Sequence, residues 1–153
     1  MPLVEIRPGR PRDGAGRALL AAAVADLAVR YQGPQDPEVD PDDIAPPRGA
    51  FLLALLDGEP VGCGGVRGLA PGTGEIKRMY VTPEARRLGV GRALLDALEE
   101  AARGLGWGVV RLETGRKQPE AIALYEAAGY RRIPGYGHWA DAPLVVCFEK
   151  ALD

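Results

Sequence analysis

One stretch in the middle of the chain constrains the fold more than any other, because a strand, a basic glycine-containing loop and a helix follow one another directly. The strand is predicted at 75–81, a turn follows at Thr82-Pro83, and the loop is Arg86-Arg-Leu-Gly-Val-Gly91. An amphipathic helix then extends to about Leu105, with apolar residues at helical spacing. Backbone amides at a helix start lack partners and carry partial positive charge, so this arrangement favours an anion, preferably a pyrophosphate.

The remaining patterns predict a single domain over residues 1–153, with a mixed α/β sheet. The predicted elements are, in order, strand 3–7, helix 15–31, hairpin strands 50–56 and 60–66, the central strand and helix, strand 107–113, helix 119–129, and strands 130–133 and 144–148. The last two strands are expected to be antiparallel. Two strands joined through a helix are parallel by default, so one parallel crossover is expected in the middle of the sheet.

Charge and composition argue against several classes of function. The formal net charge of −2 lacks the basic excess typical of nucleic-acid-binding proteins, and no apolar run reaches the length of a membrane span. The start of the chain has no signal-peptide layout. Cys63 and Cys147 are too few for a disulfide framework or a four-ligand zinc site. We therefore expect a cytoplasmic protein with reduced core thiols and no metal, nucleic-acid or membrane partner.

The glycine loop can be compared with two general phosphate-binding motifs. A Walker loop requires a lysine and a hydroxyl residue, and neither is present here. A dinucleotide fingerprint requires three glycines, of which Gly89 and Gly91 are present while Leu94 occupies the third position. Glu113 follows at about the 20-residue distance at which that fingerprint has its acidic residue. An NAD-dependent enzyme therefore stays open as an alternative.

Two motifs in the second half of the chain occur in a fixed order with one strand between them. The first is Arg86-x-x-Gly89-x-Gly91, after a strand that ends in Met-Tyr-Val and before a long helix. The second is Gln118-x-x-Ala121-Ile-Ala-Leu-Tyr125-Glu-Ala-Ala-Gly129-Tyr130. Together they resemble the acyl-CoA signature and the Asn-x-x-Ala-x-x-Leu-Tyr-x-x-x-Gly-Phe helix of the GNAT superfamily of N-acetyltransferases. The clear resemblance covers about 75–133.

This resemblance implies both a fold and an activity. The fold would be a mostly antiparallel mixed sheet whose central parallel strand pair is splayed to hold acyl-CoA, with helices on both faces. The activity would be direct transfer of an acetyl group from acetyl-CoA, the cosubstrate, to a primary amine of a small molecule, peptide or protein. A non-catalytic acyl-CoA-binding module on the same fold is the alternative. A homodimer through the last strands, common in the family, is a further expectation.

The resemblance also assigns residues to the cosubstrate. Backbone groups of 79–81 would hydrogen-bond the pantetheine arm, and an amide there would polarise the thioester carbonyl. Amides of 87–92 would hold the pyrophosphate, and Gln118 replaces an asparagine that contacts pantetheine. The residues expected at the cosubstrate are Met79, Tyr80, Val81, Arg86, Arg87, Leu88, Gly89, Val90, Gly91, Arg92, Gln118, Ala121 and Tyr125.

Acetyl transfer needs an acid for the departing thiolate and a base for the substrate ammonium. Tyr125 matches the family's helix tyrosine, and a phenol with an ordinary pKa near 10 is protonated at pH 7. Its alternative role is packing of the helix. Glu75 matches the position where several members carry a general base, and a solvated glutamate at the strand end is its alternative.

Acceptor contacts are expected from the central strand. Strand alternation predicts Glu75, Lys77 and Met79 on one face and Arg78 and Tyr80 on the other. Arg78 or Lys77 is then a candidate for binding a carboxylate of the acceptor, with a surface position as the alternative.

A late loop supplies further acceptor candidates. In the resemblance it borders the acceptor cleft, so Tyr136, His138 and Trp139 are expected to line the cleft or to cover the sheet edge. His138, the only histidine, is a candidate base. Glu99 and Glu100, on the central helix, are expected on its solvated face.

Overall fold

The computed structural model describes residues 3–31, 39–137 and 143–153, and these form one mixed α/β sheet with helices on both faces. The strands are β1 (Val4–Pro8), β2 (Gly49–Leu56), β3 (Glu59–Ala70), β4 (Thr73–Val81), β5 (Val109–Gly115), β6 (Arg131–Ile133) and β7 (Val145–Ala151). The α-helices are α1 (Gly14–Tyr31), α2 (Val90–Gly104) and α3 (Pro119–Ala127). None of the helices in this part of the chain is long and apolar enough to cross a membrane.

The strand order confirms the predicted parallel crossover. The order is β1-β2-β3-β4-β5-β7-β6, and β4 and β5 are the parallel pair while the other neighbours are antiparallel. The crossover arises because α2 follows β4 and packs on the sheet, and the chain then re-enters the sheet as β5. The antiparallel pairing predicted for the last two strands is also confirmed, and β7 lies between β5 and β6.

The parallel pair β4 and β5 is bonded only over its first half. Its register runs from Thr73 opposite Val109 to Ile76 opposite Leu112 and ends there, although both strands continue. Beyond this point β4 stays paired with β3 and β5 stays paired with β7. The two strands therefore diverge, and each presents backbone groups along the edge that faces the other.

A β-bulge in β4 overturns the predicted alternation of its side chains. Arg78 has a φ of 58°, in the left-handed region, and the register with β3 shifts beside it. Ile76 and Met79 consequently pack in the same apolar cluster as α2, whereas Tyr80 packs in the cluster on the other face. Met79 does not share a face with Glu75, because one extra residue in a strand reverses the side-chain pattern that follows it.

The main core lies between the sheet and α2. The apolar positions of this helix that recur at helical spacing are buried, among them Val90, Leu94 and Leu98, as its sequence predicts. The expectation that Glu99 lies in solvent is wrong, because this side chain is only 3% exposed. Its carboxylate accepts a hydrogen bond from the Tyr130 hydroxyl at 2.9 Å and lies 3.0 Å from Lys150 Nζ. These partners offset the cost of burying the charge.

Candidate active site

Two cavities meet where β4 and β5 diverge. The loop cavity, about 630 Å³, lies over the loop before α2, and the strand cavity, about 390 Å³, lies between the diverging strand ends and α1. Both are lined by the same six residues at their junction, which are Asp26, Met79, Tyr80, Gln118, Ala121 and Tyr125. Because the cavities share walls from β4, α1 and α3, one extended molecule can occupy both.

The loop cavity has the features of an anion site. Arg86, Arg87 and Arg92 line it, together with Gly89 and Gly91. Gly89 is the N-cap of α2, with a φ of 83°, and no side chain caps the amides that follow. A Cβ at Gly91 would approach Leu124 Cδ2 to 3.3 Å, so glycine lets α2 and α3 lie close together. Open helix amides, three arginines and missing side chains fit a diphosphate.

Arg86 connects this anion site to β4 and α1. Its Nε donates to the Val81 carbonyl at 3.0 Å, and its guanidinium lies 5.9 Å from the centre of the Tyr80 ring. Its Nη2 lies 3.9 Å from Asp26, whose carboxylate also accepts a hydrogen bond from Arg30 Nε at 3.0 Å. A carboxylate of α1 therefore stands beside an arginine that lines the anion site.

The end of α1 is also tied to the segment between β5 and α3. The Tyr31 hydroxyl accepts hydrogen bonds from the Lys117 amide at 3.2 Å and from Gln118 Nε2 at 3.4 Å. Gly115 leaves room for this hydroxyl, since any Cβ there would collide with it. Arg30 donates to the Lys117 carbonyl at 2.9 Å. The end of α1 thus holds Gln118 at the junction of the two cavities.

Tyr125 lies at the same junction and is almost fully buried. Its ring packs against Tyr130 and Phe148, with centroid distances of 5.8 and 6.1 Å, and its hydroxyl lies 3.9 Å from Met79 Sδ. Burial raises the pKa of Tyr125 to about 12. The phenol therefore keeps its proton at neutral pH and can donate it. Tyr125 therefore packs in the core with its ring and also lines both cavities.

Eleven of the thirteen residues expected at the cosubstrate line the loop cavity. The two that do not are Leu88, whose side chain is exposed, and Val90, which is buried in the core. A role for these two in binding a diphosphate is limited to their backbone amides, and that role stays a prediction.

Glu75 and Tyr136 lie behind the cavity walls rather than on them. Glu75 is 2% exposed and accepts hydrogen bonds from Arg67 Nε at 3.0 Å and from the Tyr136 hydroxyl at 2.8 Å. Burial, and then the nearby Glu75 charge, raise the pKa of Tyr136. Neither residue is among the described residues that line the two cavities. The base role of Glu75 stays a prediction, and from this position it would have to act through another group.

Glu113 is the carboxylate that the sequence interpretation missed. It lies on β5 and lines the strand cavity, as do Lys77 and Arg78 of β4. Its charge adds to burial in raising the pKa of Tyr136 and of Cys147. From the sequence it is a candidate only for a dinucleotide contact. Its position near the end of a strand parallel to β4 was the available signal, because such strands present their carboxyl ends at one edge of the sheet.

The last two acceptor candidates, His138 and Trp139, lie outside the described residues. Lys77 and Arg78, the candidates on β4, line the strand cavity as a substrate contact would require. Among the described residues, no cluster of three or more metal-ligating side chains occurs.

A known family model covers most of this site. The sequence model of the acetyltransferase (GNAT) family matches residues 24–130. The matched segment contains the loop before α2, the two diverging strands and α3. The cavities described above are thus built mainly from residues that the family model matches.

Individual proteins resemble the chain over nearly its whole length. An IAA acetyltransferase from Azospirillum brasilense is 35% identical over 153 residues, covering 99% of this chain and 100% of the relative. The crystal structure of a provisionally named acyl-CoA N-acyltransferase from Klebsiella pneumoniae is 34% identical, with a TM-score of 0.81 and 99% of both chains covered. The PaiA N-acetyltransferase from Thermoplasma acidophilum, in complex with coenzyme A, shares the fold at 20% identity, with a TM-score of 0.73 over 97% of this chain and 99% of that one.

Proposed function

Because the chain belongs to the acetyltransferase (GNAT) family, we propose that it transfers an acetyl group from acetyl-CoA to a primary amine of a small molecule or peptide. The diphosphate of the cosubstrate lies in the loop cavity, and the amine enters through the strand cavity. One observation carries this assignment: a cationic cavity at a helix N-terminus joins a second cavity at Tyr125 and the diverging edge of β4.

The diverging edge of β4 suits the extended arm that links the diphosphate to the thioester. Met79 and Tyr80 line both cavities, and β5 no longer bonds to this part of β4. Backbone N–H and C=O groups along this edge can pair with the amides of a pantetheine arm as a neighbouring strand would. The bulge at Arg78 turns this part of the strand, so that Met79 faces Tyr125.

Transfer forms an amide C–N bond and breaks the thioester C–S bond. The nitrogen must lose two protons, one from the ammonium to a base before attack and one as the amide forms, and this second proton replaces the one that the acid gives to the sulfur. Tyr125 supplies the proton to the departing thiolate, because its hydroxyl is at the junction and burial keeps it protonated. Glu113 takes the proton from the ammonium, because its carboxylate lines the cavity through which the amine enters.

The strand cavity presents charges of both signs to the acceptor. Glu113 supplies a negative charge, and Lys77 and Arg78 supply positive charges on the opposite strand. An amine that also carries a carboxylate would match both sets. Amino acids and peptide termini therefore belong at the centre of an acceptor screen.

The test is release of free thiol from acetyl-CoA in the presence of a panel of amines, with the acetylated product identified by mass spectrometry. The panel comprises amino acids, short peptides and polyamines, and IAA is tested separately because the Azospirillum relative is named after it. We expect thiol release that depends on one amine class and falls in Tyr125→Phe. Tight binding of acetyl-CoA with no acetylated product from any amine would instead favour a non-catalytic acyl-CoA-binding module.

A further inference from the structure

A buried ionic cluster links α2 to the end of the chain and takes no part in the chemistry above. Glu99 of α2 is 3% exposed, and both of its carboxylate oxygens lie within 3.2 Å of Lys150 Nζ. The Tyr130 hydroxyl donates to the same carboxylate at 2.9 Å. Lys150 also lies over the Tyr130 ring, 5.6 Å from its centre. Three elements therefore meet at one buried carboxylate.

Tyr130 in turn contacts Tyr125 in two ways. Gly129 follows the end of α3 with a φ of 92° and turns the chain away from the helix axis. The Tyr130 amide then donates to the Tyr125 carbonyl at 3.0 Å, and the Gly129 amide donates to the Glu126 carbonyl at 3.2 Å. The two tyrosine rings also pack together, 5.8 Å apart and tilted by 60°. The orientation of Tyr130 therefore limits both the backbone and the ring of Tyr125.

We propose that Glu99 and Tyr130 are positioning residues that hold Tyr125 in register with the loop cavity. Glu99 lies on α2, whose first turn forms the anion site, and Tyr125 lies on α3 at the junction of the cavities. The hydrogen bond between Glu99 and Tyr130 joins α2 to the segment that directly follows α3. It thereby sets the distance between the bound diphosphate and the proton donor, and this role rests on the proposed function.

Stability alone is a weak reason for such a cluster. Desolvation of a carboxylate and an ammonium offsets much of their attraction, and apolar side chains of similar volume often stabilise a core equally well. A hydrogen-bonded carboxylate has directional requirements that an apolar contact lacks. The cluster therefore determines the orientation of the Tyr130 ring, against which Tyr125 packs.

The first test compares kcat in two backgrounds. Tyr130→Phe keeps the ring and removes the hydroxyl, whereas Glu99→Leu removes the acceptor of that hydroxyl. Each should lower kcat by about tenfold, because a small misplacement of a catalytic group lowers the rate strongly. The KM for acetyl-CoA should change by less than about twofold, because the anion site is intact. Glu99→Gln keeps an acceptor for Tyr130 and should retain most of the activity. In a Tyr125→Phe background, neither Tyr130→Phe nor Glu99→Leu should lower kcat further.

Equal losses of kcat in both backgrounds would overturn the proposal, because the effect would then not act through Tyr125. Val110→Ala, in the half of β5 that is still paired with β4, controls for a general loss of core stability. The melting temperatures of all variants are compared with that control.

A second measurement does not depend on acetyl transfer. The chain has five tyrosines, so 3-fluorotyrosine labelling gives few ¹⁹F resonances, and Tyr125→Phe identifies the one from Tyr125. We expect Tyr130→Phe and Glu99→Leu to shift or broaden this resonance, whereas Val110→Ala leaves it unchanged. An unchanged Tyr125 resonance in both variants would overturn the positioning role. A changed resonance in a protein that acetylates no amine would support the positioning while rejecting the proposed function.

Discussion

The carboxylate of Asp26 lies 3.9 Å from the guanidinium of Arg86, at the point where the two cavities meet. Asp26 belongs to α1, and Arg86 lines the proposed diphosphate site. A phosphate that binds Arg86 must share it with this carboxylate or displace it. The proposed binding of the cosubstrate is therefore coupled to the position of α1, which also forms one wall of the strand cavity.

Asp26→Asn should tighten binding of CoA, because it removes a negative charge that competes for Arg86. A partly exposed ion pair is worth about 0.2–1 kcal/mol, so we expect the Kd to fall by up to about fivefold. Isothermal titration with CoA measures this change. Asp43→Asn is the matched control, since Asp43 pairs with Arg48 at 3.4 Å away from both cavities. Weaker binding in Asp26→Asn would show that Asp26 holds Arg86 in its binding position.

Gly89→Glu should abolish tight CoA binding, because it places a negative side chain at the N-terminus of α2. We expect the Kd to rise by roughly tenfold or more through like-charge repulsion. Gly58→Glu is a control of the same kind, since Gly58 has a φ of 86°, open surroundings and a position in the hairpin turn between β2 and β3. The two variants should lose similar stability on melting. An equal effect of both on CoA affinity would contradict the assignment of the loop.

Glu113→Gln should slow acetylation more than Glu75→Gln does. If Glu113 takes the ammonium proton, its loss should lower kcat by about a hundredfold near neutral pH. The defect should shrink as the pH rises toward the pKa of the amine, because more of the acceptor is then already deprotonated. A pH series of kcat/KM for both variants measures this. A larger loss in Glu75→Gln would instead assign the base role to Glu75.

Both cysteines should resist alkylation in the folded protein. Burial raises the pKa of Cys63 to about 12 and raises that of Cys147 as well. At pH 8 only about one Cys63 side chain in ten thousand is then a thiolate, and the neutral thiol reacts slowly. Iodoacetamide should label neither residue at pH 8 without denaturant and both in urea, as counted by mass spectrometry. Rapid labelling of Cys63 in the native protein would contradict its burial in the cluster with Leu19, Ile44 and Phe51.

The sequence predicted the elements and their connection well because those depend on local patterns. Helical spacing in α2, a turn at Asp57-Gly58 and a strand-helix-strand order each allow few structures. The same local patterns placed the glycine loop and Tyr125 on adjoining elements. The parallel crossover then brings the glycine loop and Tyr125 to the same pair of cavities.

Long-range contacts account for what the sequence did not reveal. Glu99 is buried because its partners Tyr130 and Lys150 lie 31 and 51 residues away, and no helical pattern records them. The bulge in β4 places Arg78, a non-glycine residue, at a positive φ. Nothing in the neighbouring sequence indicates this backbone conformation. Asp26 lies beside Arg86 of a distant segment, and no local pattern in α1 indicates this contact.

We propose that the loop before α2 holds the diphosphate of acetyl-CoA, and thermal denaturation with added ligand tests this assignment. A ligand at a hundred times its Kd stabilises the folded state by about 2.7 kcal/mol, which raises the melting temperature measurably. We predict that acetyl-CoA and CoA both raise the melting temperature, that NAD does not, and that Gly89→Glu weakens the response. An unchanged melting temperature at millimolar acetyl-CoA, or a larger increase with NAD, would contradict a diphosphate site for acetyl-CoA in this loop.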